Sequence, residues 1–113
     1  MKGNDEMKIN YKGYNGILIK TTYATNGNVA LFLADEEDLF GPPIIVVTIN
    51  TGEILPEGVA YVKDYSENSG IMSSLKEAGV IDEVIGVKQS GFVSMPLVKF
   101  NMEGIKSIEE YNH

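Results

Sequence analysis

An Asn-Gly pair between two runs of β-branched residues fixes the first piece of this fold. Ile17-Leu18-Ile19-Lys20-Thr21-Thr22-Tyr23 ends at Thr25-Asn26-Gly27-Asn28, and Val29 to Ala34 then resumes the same character. Asn and Gly tolerate the positive φ that both central residues of a type I′ turn require. The two runs are therefore predicted to pair as an antiparallel hairpin with Asn26 and Gly27 at its tip. A lone hairpin is marginal in water, so the rest of the chain must cover its apolar face.

Later segments supply that cover. Ile44-Ile45-Val46-Val47-Thr48-Ile49-Asn50 is apolar on both alternating faces, as expected of a central strand covered on two sides. Val59 to Lys63 reads as a fourth strand. Asn68 or Ser69 can cap a helix, Ile71, Met72 and Leu75 form its apolar stripe, and Gly79 supplies a left-handed stop. Val80 to Val87 enters another strand, Gln89-Ser90-Gly91 is a turn or bulge, and Phe92 to Phe100 is the last strand. Pro96 cannot donate to a ladder, which predicts an edge strand or a bulge there. Asn101, Ile105, Ile108 and Tyr111 suggest a short C-terminal helix, interrupted by Gly104. Polar residues 1–15 read as a flexible N-terminal segment and 16–112 as a single domain. The expected class is α+β: a mostly antiparallel twisted sheet of five or six strands, one central helix packed on it near Gly70 to Ala78, and the short C-terminal helix.

Composition narrows the function. A chain of 113 residues fits one core. There is no cysteine, hence no disulfide, thiolate nucleophile or sulfur-ligated zinc. All nine cations are lysines against 16 acids, a net charge of −7. The lack of arginine, whose planar fork reads phosphate and guanine, argues with that charge against direct nucleic-acid or anionic-membrane binding. No apolar run approaches the roughly 20 residues that span a bilayer, and the first residues lack a leader-like apolar core, so a cytoplasmic setting is expected.

Chemistry is sparse. His113, the last residue, has no framework to hold its ring, so a Ser-His-acid site is not expected. Lys88 and Ser90 are the nearest approach to a nucleophile and base, although a serine before glycine is commonly a turn former. Gly86-Val87-Lys88-Gln89-Ser90-Gly91 superficially resembles a phosphate loop, but its lysine precedes glutamine and it leads into a strand rather than a helix. Asp35-Glu36-Glu37-Asp38 invites a hard cation, yet consecutive acids on an extended loop point apart and lack the alternation of a calcium loop. With Phe40, between those acids and Gly41-Pro42-Pro43, they form the candidate partner-binding site: a large ring on an acidic loop either folds back on the core or waits for a partner. No catalytic residue, metal ligand or cofactor is expected.

Four blocks carry a resemblance. Tyr23 to Leu31, Thr48-Ile49-Asn50, Leu55-Pro56-Glu57 and Ser90 to Asn101, in that order, resemble an uncharacterised bacterial family of domain-of-unknown-function proteins, numbered four-three-one-three. The likeness runs from about Tyr23 to Ile105, and the order of the blocks is more specific than any one of them. Members resemble small accessory proteins carried on mobile elements; the family brings no established activity. The chain departs from the pattern in a longer acidic segment before Pro42-Pro43 and in Asp64 to Gly70, which lacks its Asn-rich, Pro-containing character. The resulting expectation is a non-catalytic protein-binding or regulatory accessory domain with an unknown protein partner, itself a monomer or weak homo-oligomer. One alternative is an acidic nucleic-acid mimic that inhibits a host defence nuclease. Another is a small ligand-binding domain or enzyme using Lys88 and Ser90.

Overall fold

Antiparallel pairing begins earlier in the chain than the sequence predicts. The computed structural model describes residues 6–111, and its first strand, β1 (Lys8–Tyr11), returns at once as β2 (Tyr14–Thr22). Lys12 and Gly13 both hold positive φ, 51° and 83°, so the two-residue left-handed turn lies here. Residues 8–15 are therefore a hairpin and not part of a flexible segment, and the ordered fold starts before Gly16. The reason is alternation: Ile9 and Tyr11 are buried while Lys8 and Asn10 face solvent, a half-buried strand that reads as polar on average. Residues 1–5 and 112–113 of the expected boundaries lie outside the described residues.

The hairpin expected around Asn26-Gly27 forms, with a different turn. β2 pairs with β3 (Val29–Asp35) from Thr22↔Val29 to Gly16↔Asp35. The connection is longer than two residues: Tyr23 N–H donates to Asn28 O at 2.9 Å, and Gly27 N–H to Tyr23 O at 2.8 Å. Only Gly27, at φ 75°, is left-handed. Asn26 contributes its side chain instead, whose Oδ1 accepts from Asn28 N–H at 3.1 Å.

The apolar run at 44–50 is not a central strand. Ile45–Val46 forms β4 at the edge beside β3, and Thr48–Ile49 forms β5 at the edge beside β6 (Val59–Val62). Between them Val47, fully buried, donates its N–H to Leu31 O at 2.9 Å, and its carbonyl accepts from Lys63 N–H at 2.8 Å. The run is apolar on both faces because it passes from one sheet to another, exchanging faces as it goes.

The α+β class, mostly antiparallel, holds, but the strands divide between two sheets. The first has the order β1-β2-β3-β4, with β9 (Lys106–Ser107) parallel to β2; the second has the order β5-β6-β8-β7, where β7 is Ile81–Ser90 and β8 is Val93–Phe100. Pro96 thus lies in an inner strand, contrary to the edge expected for it. It is tolerated because pairing with β6 stops at Leu97, one residue short of it. The bulges fall instead on β7, where Asp82 and Ile85 are extra residues against β8.

The helix α1 (Ile71–Ala78) ends as expected at Gly79, φ 77°, and packs on β1. Its start differs. Gly70 occupies the cap position, its N–H held by Asp64 Oδ1 at 2.6 Å, and Asn68 is buried as a pin whose Nδ2 donates to Val46 O at 2.6 Å. Ile71, Leu75, Val47, Val62, Leu18, Leu31, Leu33 and Val98 share one core between the sheets and the helix. At the C-terminal end the expected helix appears as two 3₁₀ turns, Met102–Gly104 and Ile108–Tyr111, flanking β9, and Asn101 caps the first through Oδ1 to Glu103 N–H.

Asn68→Ala leaves the Val46 carbonyl without its buried donor and should cost about 1–3 kcal/mol in urea unfolding. Gly16→Ala should also destabilise, since an added Cβ would stand 2.5 Å from Leu33 Cγ and 2.9 Å from the Ala34 carbonyl oxygen. Unchanged midpoints for both would show that neither contact constrains the fold.

Candidate functional site

Apart from Tyr14 and Ile54, the large apolar side chains that the core leaves exposed collect in two places. The first is the β7–β8 hairpin. Beyond Leu97 its two strands pair only with each other, so the ribbon runs about 13 Å past the reach of β6 at the usual rise per residue. Its tip, Phe92, is fully exposed, and Val87 is 60% exposed; Val84 and Ile85 are also open to solvent. From Val84 to Asn101 the sequence holds Lys88 and Lys99 and no carboxylate. Acids stand against both lysines: Lys88 is bonded to Glu53 of a neighbouring loop, and Lys99 lies opposite Glu83 of β7.

The hairpin is braced on one side by the loop between β5 and β6. Lys88 Nζ donates to Glu53 Oε1 at 2.8 Å, and Tyr61 Oη and Thr51 Oγ1 donate to the same oxygen at 3.0 and 3.1 Å. Lys88 also lies over the Tyr61 ring, 5.8 Å from its centroid. The hydrogen bond from Lys88, then those from Tyr61 and Thr51, hold Glu53 below the ordinary carboxylate range, and the bond to Glu53 raises Lys88. Burial foremost, and then Glu53, raises Tyr61. Lys88 is therefore a charged strut, spent on a carboxylate, and not a base for Ser90. Ser90 sits at the hairpin turn opposite Val93, while Gln89 Nε2 donates to Ser94 Oγ at 2.7 Å.

The second place is the outer face of the first sheet. Ile17, Ile19 and Ala34 on that face are covered by Ile108 and Tyr111, but the adjoining stretch stays open. Its floor is Ala30, Phe32 and Val46, and its walls are Ile108 on one side and Leu39, Phe40 and Pro43 on the other. The resulting groove, about 450 Å³, is almost wholly apolar. Phe40 does not fold back into the core; it is 62% exposed at the groove's rim.

The acids Asp35, Glu36, Glu37 and Asp38 are all exposed and lead directly into that rim. They form a compact turn: Asp38 N–H donates to Asp35 O at 3.0 Å, and Glu37 N–H to Asp35 Oδ1 at 2.9 Å. Among the described residues no three His, Asp or Glu side chains are gathered to hold a metal ion. The acidic loop with Phe40, singled out in the sequence as a candidate partner-binding site, is thus exposed beside this groove. The sequence gives no sign that the groove floor in β3 or the end of the β7–β8 hairpin is open, since both read there as ordinary strands.

A further depression, about 580 Å³, lies where Lys20, Asn28, Glu57, Ser107 and Glu109 meet. The Asn28 amide is spent inside the fold, donating to Glu53 O and accepting from Leu55 N–H, and so does not point a group at a ligand. Among the described residues no helix is long and apolar enough to cross a membrane.

No family model, curated protein or solved structure matches this chain, so the resemblance drawn from its sequence rests on the four blocks alone.

The Glu53–Lys88 strut should be sensitive to both ends of the pH scale. Glu53 is lowered from 4.5, so its contribution is complete above that value and is lost as pH falls through the depressed one. Lys88 is raised from 10.5, so its contribution is complete below that and is lost as pH climbs through the raised value. Acidification, or Glu53→Gln at neutral pH, should therefore speed amide hydrogen exchange in β7 and β8 before it affects β2 and β3. Uniform loss of protection across both sheets would refute the local role.

Proposed function

We propose that this chain is a non-catalytic protein-binding module, a small accessory domain that engages its partner through the β7–β8 hairpin. The observation that carries the reading is the fully exposed Phe92 at the tip of a ribbon that also presents Val84, Ile85 and Val87. Isolated apolar residues are ordinary on protein surfaces, but a fully exposed aromatic at the tip of a hairpin that carries three further exposed aliphatic residues has the makings of an interface anchor. Burying a phenylalanine side chain contributes roughly 1.5–3 kcal/mol, enough to make one ring an anchor.

The acidic turn Asp35 to Asp38, with Phe40, belongs to the same reading as a second contact region. Its four carboxylates would steer a basic partner and set the salt dependence of association rather than supply most of the affinity. The reading keeps the cytoplasmic, mobile-element setting expected from the sequence.

The test is a pair of hairpin variants, Phe92→Ala and Val87→Thr, used as bait in extracts of the native host. Both positions are exposed, so stability should stay within about 0.5 kcal/mol of the parent. The captured partner should be lost or greatly reduced with Phe92→Ala. Capture of the same protein, equally well, by both variants would remove the hairpin from the interface.

A further inference from the structure

We propose that Asn26 is a modification site, the Asn-Gly asparagine that deamidates while the chain is folded, and that its conversion releases the loop after β5 from the β2–β3 hairpin. The proposal does not depend on how the chain engages a partner.

Two Asn-Gly pairs occur in the sequence, Asn15-Gly16 and Asn26-Gly27. Such pairs are open to deamidation because the glycine has no Cβ to hinder its amide nitrogen from reaching the asparagine side chain. At the second pair the Gly27 amide gives its proton to hydroxide and its nitrogen attacks Asn26 Cγ. The new C–N bond closes a cyclic imide as the Cγ–Nδ2 bond breaks, and ammonia leaves with a proton taken from water. Solvent water then opens the imide at either carbonyl, leaving aspartate or isoaspartate.

The fold treats the two pairs differently. Gly16 is buried within β2 and paired on both sides, with Ile9 of β1 and Asp35 of β3. Its nitrogen meets neither hydroxide nor the Asn15 side chain unless the ladder opens. Gly27 is exposed, lies outside the strands and holds φ 75°. Asn26 Oδ1 already accepts from Asn28 N–H at 3.1 Å. Negative charge develops on that oxygen as the nitrogen attacks, so the Asn28 amide acts there as an oxyanion donor. Two hydrogen bonds restrain the step: Gly27 N–H to Tyr23 O at 2.8 Å, and Asn26 Nδ2 to Asn50 Oδ1 at 3.1 Å. Deamidation at Asn26 is therefore slower than in the unfolded chain and faster than at Asn15.

Asn50 is the clasp that the reaction undoes. Its Oδ1 accepts from Gly52 N–H at 3.2 Å and Asn28 Nδ2 at 3.5 Å as well as from Asn26, and its Nδ2 donates to Thr25 Oγ1 at 3.3 Å. A carboxylate in place of the Asn26 amide sets a charged acceptor against Asn50 Oδ1. Turning the Asn50 amide to meet it gives up the bond to Gly52, so the loop loses a tether either way.

The experiment is incubation of the whole chain in mildly alkaline buffer, with and without urea, followed over time by peptide mass spectrometry at each asparagine. In urea both Asn-Gly pairs should convert. Folded, the chain should convert at Asn26, more slowly than in urea, with Asn15 intact. Asn50→Ala should speed conversion at Asn26 several-fold, the scale of losing one ordinary hydrogen bond. Asn50→Asp, which keeps an oxygen for Asn26 Nδ2, should stay near the parent's rate. Thr25→Val, which frees the Asn50 amide, is the substitute if Asn50→Ala fails to give the parent's circular dichroism and melting curve. Asn26→Asp should speed amide hydrogen exchange over residues 50–55 ahead of β2 and β3. Folded chain that converts at Asn15 as fast as at Asn26 overturns the proposal, as does an Asn26 that stays intact while the urea sample turns over. An unchanged rate when the clasp is removed, or unchanged exchange in Asn26→Asp, overturns the coupling to the loop.

Discussion

Val47 is the residue on which the two-sheet arrangement turns. Its N–H is bound to Leu31 in the first sheet and its carbonyl to Lys63, just past the end of β6 in the second, so a single peptide unit on each side ties the sheets together. Flanking groups hold the passage in register. Asn68 takes the Val46 carbonyl, and Thr48 Oγ1 accepts from Leu31 N–H at 3.1 Å while sharing a hydrogen bond with Tyr23 Oη at 2.9 Å. Each of these is a buried polar group that is costly to leave unpaired, and together they leave the chain little freedom in where it changes sheets. The core can then close: with Val47 fixed, Leu31 and Leu33 of one sheet face Val62 and Val98 of the other, and α1 covers the remaining side through Ile71 and Leu75.

This crossing explains what the sequence shows and what it conceals. The Asn26-Gly27 hairpin, the helix with its Gly79 stop and the final β7–β8 pair rest on local signals, turn residues between periodic runs, and these survive in the structure. The run at 44–50 does not announce itself. A strand covered on both faces and a strand that changes sheets at its midpoint produce the same continuous apolar pattern, and only the partners of Val46 and Thr48 distinguish them. Asn68 misleads in the same way. A polar residue ahead of an apolar stripe has the look of a helix cap, yet its amide is claimed by a carbonyl 22 positions away. The turn at Lys12-Gly13 carries half the usual signal, since lysine seldom takes φ of 51°, and the strand before it is polar on average.

The candidate surfaces are legible to the same partial degree. Asp35 to Asp38 and Phe40 draw attention because they break a pattern, and they do lie on the surface. Phe92, Val84 and Val87 break none: in sequence the apolar residues of the last hairpin read as the core-facing part of half-buried strands. What exposes it is geometry. β6 ends its pairing at Leu97, so β7 and β8 continue as a two-stranded ribbon with no third strand beside them. Exposure here follows from the length of a neighbouring strand, a quantity that no local pattern in β7 or β8 encodes.

An exposed edge strand of ten residues would ordinarily invite indiscriminate pairing, and β7 carries the usual defences. Asp82 and Ile85 bulge against β8, twisting the strand, and Lys88 sets a charge near its far end. These devices protect the backbone edge while leaving the Phe92 ring bare, which separates two kinds of association. Pairing along the edge would hydrogen-bond its open N–H and C=O groups but must flatten two bulges. Docking through the tip buries an aromatic ring and asks nothing of the backbone. The Glu53 strut favours the second as well, since it holds the ribbon at Lys88, two residues short of the end of β7, and so reduces the conformational freedom lost when the tip is bound. A hairpin that is guarded along its edge, held near its far end by Lys88 and aromatic at its tip suits the contact that we propose for it.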